Sequence, residues 1–227
     1  MDHGIGNGMA IKLIEQEGAV GLAFSDEKKG KPYFVDFLTP GWKKNFADGL
    51  PRNHIFRRAL GATNAKPRVC DATAGFGSDA VMALALGCEV VALERSVLVA
   101  KVFRDGVQRA SRQDLKMKLL FARLQLLEGD AVEQLGALIP CPDVVFLDPM
   151  FDKPKKKSKS PKAMQMLQEL LGQAPTEAEE EKLFAVAWDT CRKRVVVKRP
   201  LKARALRPGA AHSFKGQSVR YDVYIKT

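Results

Sequence analysis

Short apolar segments alternate with amphipathic ones from about residue 66 onward. The apolar runs PRVC, CEVVALE, RLQLLE, PDVVFLD and RKRVVVK are separated by segments with helical periodicity. This alternation is typical of βαβ units, in which helices cover both faces of a parallel sheet. The closing segment, AHSFKGQSVRYDVYIKT, has two strand-like runs around a turn and predicts an antiparallel hairpin. We therefore expect an α/β, Rossmann-like domain over residues 66–227, with a mostly parallel sheet and a C-terminal antiparallel hairpin.

Residues 1–65 have a different pattern and are interpreted as a small N-terminal extension. Two strand-like runs, AVGLAF and KPYFVDF, flank the polar segment SDEKKG and predict a hairpin. The segment that follows, TPGWKKNFADGLPRNHIFRRALG, predicts a loop that ends in a short basic helix.

Composition narrows the class of protein. The chain has 227 residues, 46% of them hydrophobic, which is enough for a sizeable core. No apolar run approaches the roughly 20 residues that span a bilayer, and no secretory signal precedes the first polar segment, so we expect a cytoplasmic protein without a membrane partner. The net charge of +11 favours a polyanionic partner, most commonly nucleic acid, over a basic protein with no such partner.

Cysteine and histidine spacing predicts no metal site. None of the four cysteines lies in a CxxC pair, and the three histidines are far apart. Structural zinc needs closely spaced ligand pairs, so we interpret the cysteines as buried free thiols in a reducing compartment.

A glycine turn follows the first predicted strand of the main domain. In DATAGFGSDA, Gly75 and Gly77 satisfy the GxGxxA dinucleotide fingerprint, although a purely structural turn would use the same residues. Asp79 stands in the first turn of the following helix, where its charge opposes a pyrophosphate but suits the sulfonium and ammonium groups of S-adenosylmethionine. Asp71, at the strand end, is placed to meet the methionine ammonium. S-adenosylmethionine is therefore the expected cofactor.

Three more carboxylates follow the next strands. Glu94 ends the second strand and can accept from both ribose hydroxyls, Asp130 ends the third and can accept from the adenine amine, and Asp148 ends the fourth. A single acid in such a place is usually a helix cap, but four acids at successive carboxyl ends indicate a ligand site.

The segment VVFLDPMFDKPKKK places Asp148 before Pro149 and Phe151. DPMF resembles the (D/N)PP(Y/F) motif of methyltransferases that act on exocyclic amines, in which a carboxylate and the proline carbonyl accept the two N–H groups of a nucleobase amine. Phe151 could stack on the target base or lie in the core. In the lysine-rich loop that follows, Lys153, Lys155, Lys156 and Lys157 could bind flanking phosphates or simply be solvated. A second basic cluster over residues 192–199 is a weaker candidate, because some of its members could be buried.

Five segments together resemble the RsmJ family of bacterial methyltransferases: DATAGFGSDA, VVALERS, FLDPMF, RVVVKRP and RYDVYIKT. Members of that family make N2-methylguanosine near the 3′ end of small-subunit ribosomal RNA. The resemblance implies that the following residues contact the cofactor: Ser78, Asp79, Glu94, Arg95, Asp130, Ala131 and Asp148.

The expected activity is methyl transfer from S-adenosylmethionine to the N2 amine of a guanosine in 16S ribosomal RNA. The alternatives are an adenine-N6 methyltransferase on RNA or DNA, a non-catalytic RNA-binding or ribosome-assembly protein of the same fold, and an NAD-dependent oxidoreductase. The DPMF motif itself does not separate guanine from adenine; the family resemblance does.

Overall fold

The computed structural model describes residues 11–26, 28, 30–150, 162–172 and 174–226. Its N-terminal part forms a three-stranded antiparallel sheet of β1 (Ile11–Gln16), β2 (Ala19–Phe24) and β3 (Tyr33–Phe34), in that order. Two helices follow, α1 (Pro40–Asp48) and α2 (Ile55–Leu60). The predicted hairpin is confirmed as the β2–β3 pair, while β1 was not predicted.

The remaining strands form one seven-stranded sheet. They are β4 (Arg68–Asp71), β5 (Glu89–Glu94), β6 (Leu124–Glu128), β7 (Val144–Leu147), β8 (Arg194–Pro200), β9 (His212–Lys215) and β10 (Val219–Ile225). Their spatial order is β6-β5-β4-β7-β8-β10-β9. The first five are parallel, and β10 is antiparallel to both of its neighbours. The predicted α/β fold with its C-terminal antiparallel hairpin is confirmed.

Within the described ranges, six helices connect these strands. They are α3 (Ser78–Ala85), α4 (Val97–Ser111), α5 (Leu115–Phe121), α6 (Ala131–Gln134), α7 (Lys162–Leu171) and α8 (Glu177–Thr190). Side-chain caps start several of them: Ser96 accepts from the Val99 amide, and Thr176 and Glu179 form a reciprocal capping box on α8. No helix in the described ranges is long and apolar enough to cross a membrane.

Two apolar clusters cover the two faces of the large sheet. One contains Val69, Phe103 and Phe146 and also takes in Leu22 and Phe37 from the N-terminal part. The other packs Phe184 of α8 against strand residues such as Val195 and Val197. The N-terminal segment therefore shares a core with the large sheet. Gly106 allows α4 to pack closely against this segment, because a Cβ on Gly106 would lie 2.6 Å from Val35 Cγ1.

Three local predictions were wrong. The segment after Thr39 was expected to be a loop but forms α1, where Pro40 occupies the first turn, a position that needs no amide hydrogen. The segment between the third and fourth predicted strands, residues 131–139, was among those expected to be helical, but it forms only the single turn of α6 and a 3-10 turn over Leu135–Ala137. Cys141 is exposed, whereas the other three cysteines are buried free thiols. The predicted lysine loop lies outside the described residues, apart from the start of α7.

Candidate active site

The glycine turn joins β4 to α3 at the carboxyl edge of the sheet. Gly75 and Gly77 have φ angles of 55° and 83°, in the left-handed region that favours glycine. A Cβ on Gly77 would lie 2.1 Å from the Phe103 ring, so packing behind the turn also excludes a side chain there. The turn is thus fixed by the protein's own core before any ligand is considered.

Glu94 ties this turn to the end of β5. Glu94 is buried, with 4% of the residue exposed. Its carboxylate accepts hydrogen bonds from the Gly75 amide at 2.8 Å and from the Ser96 amide at 2.7 Å. Burial raises the pKa of Glu94, and these two amide hydrogen bonds oppose that rise. A carboxylate has about four acceptor positions, so two remain for the hydroxyls of a ligand.

Asp79 and Asp148 are held together by a lysine from a third element. Lys198, on β8, donates from Nζ to Asp79 Oδ2 at 2.7 Å and to Asp148 Oδ2 at 2.9 Å. The Asp148 amide donates to Thr73 Oγ1 at 2.6 Å, which fixes the backbone after β7 against the glycine turn. The ammonium therefore bridges the first turn of α3 and the end of β7.

The three charges strongly affect one another. Burial raises the pKa of Asp148 to about 6, Asp79 acts in the same direction, and Lys198 opposes them. Burial alone would lower the pKa of Lys198, but the two carboxylates outweigh it and raise that pKa above its ordinary value. Lys198 therefore stays charged and favours the ionised form of Asp148.

Asp71 is the deepest carboxylate of the site. It is 2% exposed, and Oδ1 accepts from the Thr73 amide at 3.1 Å. Burial raises the pKa of Asp71 well above its usual range, and the charge of Asp79 adds to the rise. Such a carboxylate is costly to ionise without a nearby cation.

The donor set fits a cationic ligand. Among the described residues, three carboxylates (Asp71, Asp79 and Asp148) are opposed at this point by one ammonium, that of Lys198. Lys198 pairs with both Asp79 and Asp148, so one positive charge is shared by two carboxylates, and Asp71 adds a third. This acidic excess suits an ammonium and a sulfonium better than a pyrophosphate.

The other predicted cofactor residues lie around the same edge. Ser78, exposed, is the first residue of α3, and Arg95, also exposed, follows β5. Asp130 caps α6 by accepting from the Val132 amide at 2.8 Å, and Ala131 is the buried first residue of that helix. The Gly129 amide donates to the Glu94 carbonyl at 3.0 Å, so the ends of β5 and β6 are adjacent.

Of the residues predicted to contact the substrate, the structure describes Asp148 and Pro149. Pro149 is buried directly after Asp148. Phe151 and the four lysines proposed to bind RNA lie outside the described residues. No group of three or more histidine, cysteine, aspartate or glutamate side chains within the described ranges is arranged to hold a metal ion.

Sequence reasoning missed Lys198 and Thr73. Lys198 was grouped with neighbouring bases as a possible RNA contact, although a lysine inside the apolar run VVVKRP was a signal of a buried charge with a partner. Its neighbours serve other purposes: Arg199 forms a buried pair with Glu180, and Lys193 pairs with Asp143 near the opposite edge of the sheet.

Comparison with known proteins gives one consistent family. Residues 5–226 match the family model described as "Putative SAM-dependent methyltransferase". The chain is 38% identical over 217 residues to ribosomal RNA small subunit methyltransferase J of Tolumonas auensis, covering 94% of this chain and 85% of that one. The same-named protein of Thioalkalivibrio sulfidiphilus is 36% identical over 225 residues, covering 96% and 86%. The crystal structure of a SAM-dependent methyltransferase from Neisseria gonorrhoeae is 32% identical and superposes with a TM-score of 0.70, covering 95% of this chain and 82% of that one.

Proposed function

Because the chain belongs to the RsmJ family of S-adenosylmethionine-dependent methyltransferases, we propose that it methylates the N2 amine of a guanosine in small-subunit ribosomal RNA. The observation that carries the proposal is Asp148: a carboxylate at the end of β7, followed by Pro149, hydrogen-bonded to Lys198 and held against the glycine turn. The names of the relatives supply the RNA class.

The cofactor lies over the carboxyl ends of β4, β5 and β6 in this proposal. Asp71 meets the methionine ammonium, Glu94 accepts from the ribose hydroxyls, and Asp130 accepts from the adenine amine. Residues Gly75, Gly77, Ser78, Asp79, Arg95, Ala131 and Asp148 complete the surrounding wall. Bound S-adenosylmethionine supplies an electrophilic methyl group on a sulfonium.

Asp148 and Pro149 prepare the amine for attack. The lone pair of an exocyclic amine is delocalised into the purine ring, so the free amine is a poor nucleophile. When Asp148 and the Pro149 carbonyl each accept one N–H, the lone pair is oriented along the line of transfer, and positioning supplies most of the acceleration. Transfer would form the N–C bond as the methyl–sulfonium bond breaks and leaves a neutral thioether. The nitrogen would then be cationic and would release one proton, for which the Asp148 carboxylate is an acceptor.

Lys198 acts through Asp148. An ionised carboxylate accepts hydrogen bonds from the amine, while a protonated one loses acceptor capacity. By donating to Asp148, Lys198 lowers the pKa of that carboxyl group in a place where burial raises it, and so favours its ionised form.

The segments next to this centre complete the proposal. Phe151 stacks on the target base, and Lys153, Lys155, Lys156 and Lys157 hold flanking phosphates. Residues 66–227 form the catalytic domain, and residues 1–65 form an extension of it. The protein acts in the cytoplasm on ribosomal RNA or on the small ribosomal subunit.

Mapping modified nucleosides tests the activity. Small-subunit ribosomal RNA from cells with and without the protein is digested and compared by mass spectrometry, and the purified chain is then added back to the unmodified RNA. We expect one N2-methylguanosine to disappear without the protein and to return on addition. Loss of an N6-methyladenosine would instead favour the adenine alternative, and no change in any methylated nucleoside would favour the non-catalytic one.

A further inference from the structure

Three side chains stack beside the edge strand β9, two from the strand itself and one from α2. The guanidinium of Arg58, from α2, lies 4.5 Å from the centre of the Phe214 ring. The His212 ring stacks on Phe214 from the same strand, with 5.8 Å between centres and 30° between planes. Phe214 is half-buried, whereas Arg58 and His212 are exposed. We call these three residues the β9 platform.

Strand register places the platform level with the active site. Phe214 is opposite Tyr221 on β10, and Tyr221 is opposite Lys198 on β8, so the three side chains share one face of the sheet. Lys198 in turn donates a hydrogen bond to Asp148, the residue that follows β7. Phe214 is thus three strand spacings, or about 14 Å, from Asp148. Roughly four stacked nucleotides at about 3.4 Å each cover that distance.

Two segments around the platform are basic and contain no acidic residue. No aspartate or glutamate occurs from residue 190 to 221, a stretch with ten lysines and arginines, or from residue 49 to 65, which holds Arg52, Arg57 and Arg58. Some of these bases are paired inside the fold, but Arg58 and Lys215 remain exposed. A polyanion that approaches the carboxyl edge from this side meets positive charge and no opposing carboxylate from these segments.

We infer that the β9 platform binds single-stranded RNA that flanks the target nucleotide, an inference that rests on the proposed function. Unpaired RNA bases stack on aromatic rings and on arginine planes, and the outer surfaces of Arg58 and His212 present both. The alternative role, protection of the edge strand from aggregation, requires only charge, which Lys215 supplies. It does not explain a stack of a guanidinium, a phenyl ring and an imidazole.

Affinity for a transcript of small-subunit ribosomal RNA is the direct test. The variants are Arg58→Ala, which removes a charge and a plane, and Phe214→Leu, which keeps apolar packing but removes the ring. Arg207→Ala is the matched control, because Arg207 lies over the Phe184 ring at 5.5 Å in another Arg–aromatic pair, next to α8. Thermal unfolding verifies that each variant is folded.

We expect each platform variant to bind the transcript roughly fivefold or more weakly, and the control to remain within about twofold. The slope of log affinity against log salt should lose about 0.7 for Arg58→Ala and nothing for Phe214→Leu, because only the first removes a charge. Ultraviolet cross-linking should attach RNA to the peptide that contains Phe214. Wild-type affinity in a variant that combines Arg58→Ala with Phe214→Leu would overturn the inference.

Methylation of the same transcript separates this inference from the proposed function. If the wild-type chain methylates guanosine and the platform variants bind RNA with normal affinity, the RNA-binding role of the platform is wrong and the proposed function stands. If the variants bind RNA weakly but the wild-type chain methylates no guanosine, the RNA-binding role of the platform stands and the proposed function fails.

Discussion

Replacement of Lys198 by methionine removes the charge that joins Asp79 to Asp148 and keeps an unbranched side chain of similar length. The two lost hydrogen bonds are 2.7 and 2.9 Å long. The Asp79 and Asp148 side chains remain 16% and 33% exposed, so water offsets part of the loss. The variant should fold, at a cost to stability of about 1–3 kcal/mol.

The larger effect is on the pKa of Asp148. A hydrogen bond to a charged group contributes about 1.5–3 kcal/mol, and one pKa unit corresponds to 1.36 kcal/mol, so loss of Lys198 should raise this pKa by roughly one to two units. The starting value is about 6. The new value is then roughly 7–8, and the ionised fraction at pH 6 falls roughly fivefold to fiftyfold. Of the other charged neighbours, Asp79 raises the pKa of Asp148 and Arg199 lowers it. The charge of Asp148 in turn raises the pKa values of Asp71 and Tyr221.

Single-turnover methylation at saturating cofactor and RNA, measured between pH 5.5 and 8.5, shows this shift directly. Activity that requires ionised Asp148 rises with pH through its pKa, so the rising limb should move up by roughly one to two units in Lys198→Met and stay in place in Lys198→Arg. Lys193→Met is the matched control, because Lys193 pairs with Asp143 away from the site. A rising limb at the wild-type pH in Lys198→Met, with a uniformly lower rate, would refute the role of Lys198 in ionising Asp148.

Three further outcomes follow from the same carboxylates. Asp148→Ala should lower the single-turnover rate on the order of 10²-fold and Asp148→Asn less, because the amide keeps an acceptor oxygen; a wild-type rate in Asp148→Ala would exclude the amine-orienting role. Glu94→Ala should weaken S-adenosylmethionine binding by about 1.5–3 kcal/mol in calorimetry, and unchanged affinity would remove Glu94 from the site. Asp71 has a raised pKa in the fold, so its contribution to stability is complete below about pH 4 and is lost as the pH rises through the folded value. Asp71→Asn should therefore melt roughly 2–4 °C higher at pH 8 in the ligand-free protein, with the gain vanishing near pH 4, while cofactor affinity falls.

The fold could be predicted because its signals are local. Each strand of the parallel sheet is a short apolar run, and the capping residues and glycines that bound the helices are visible in the sequence. The errors arose where local signals conflict: Gly41 and Gly49 are typical of a loop, although Gly41 lies in the first turn of α1 and Gly49 caps its C-terminus. The strand Ile11–Gln16 has three apolar and three polar residues that do not alternate, and it is only partly buried, so its pairing with β2 was not recognised.

The candidate site was predicted in part for the same reason. Carboxylates at strand ends can be recognised one at a time, because each follows its own apolar run. The bridge from Lys198 to Asp79 joins residues 119 positions apart, and Thr73 meets the Asp148 amide across 75 positions. Such pairings depend on which strands are neighbours in the sheet, and the sequence pattern does not contain that order.

The shared core of the N-terminal segment has a consequence for synthesis on the ribosome. Phe37 packs against the rings of Phe103 and Phe121, so its partners are translated up to 84 residues later. Translation adds about 5–20 residues per second, so roughly 4–17 s pass before the residues that cover the apolar side of the N-terminal segment have been synthesised. During that interval the nascent chain exposes Leu22 and Phe37 beside a basic α2, a combination that favours contact with chaperones and with ribosomal RNA itself.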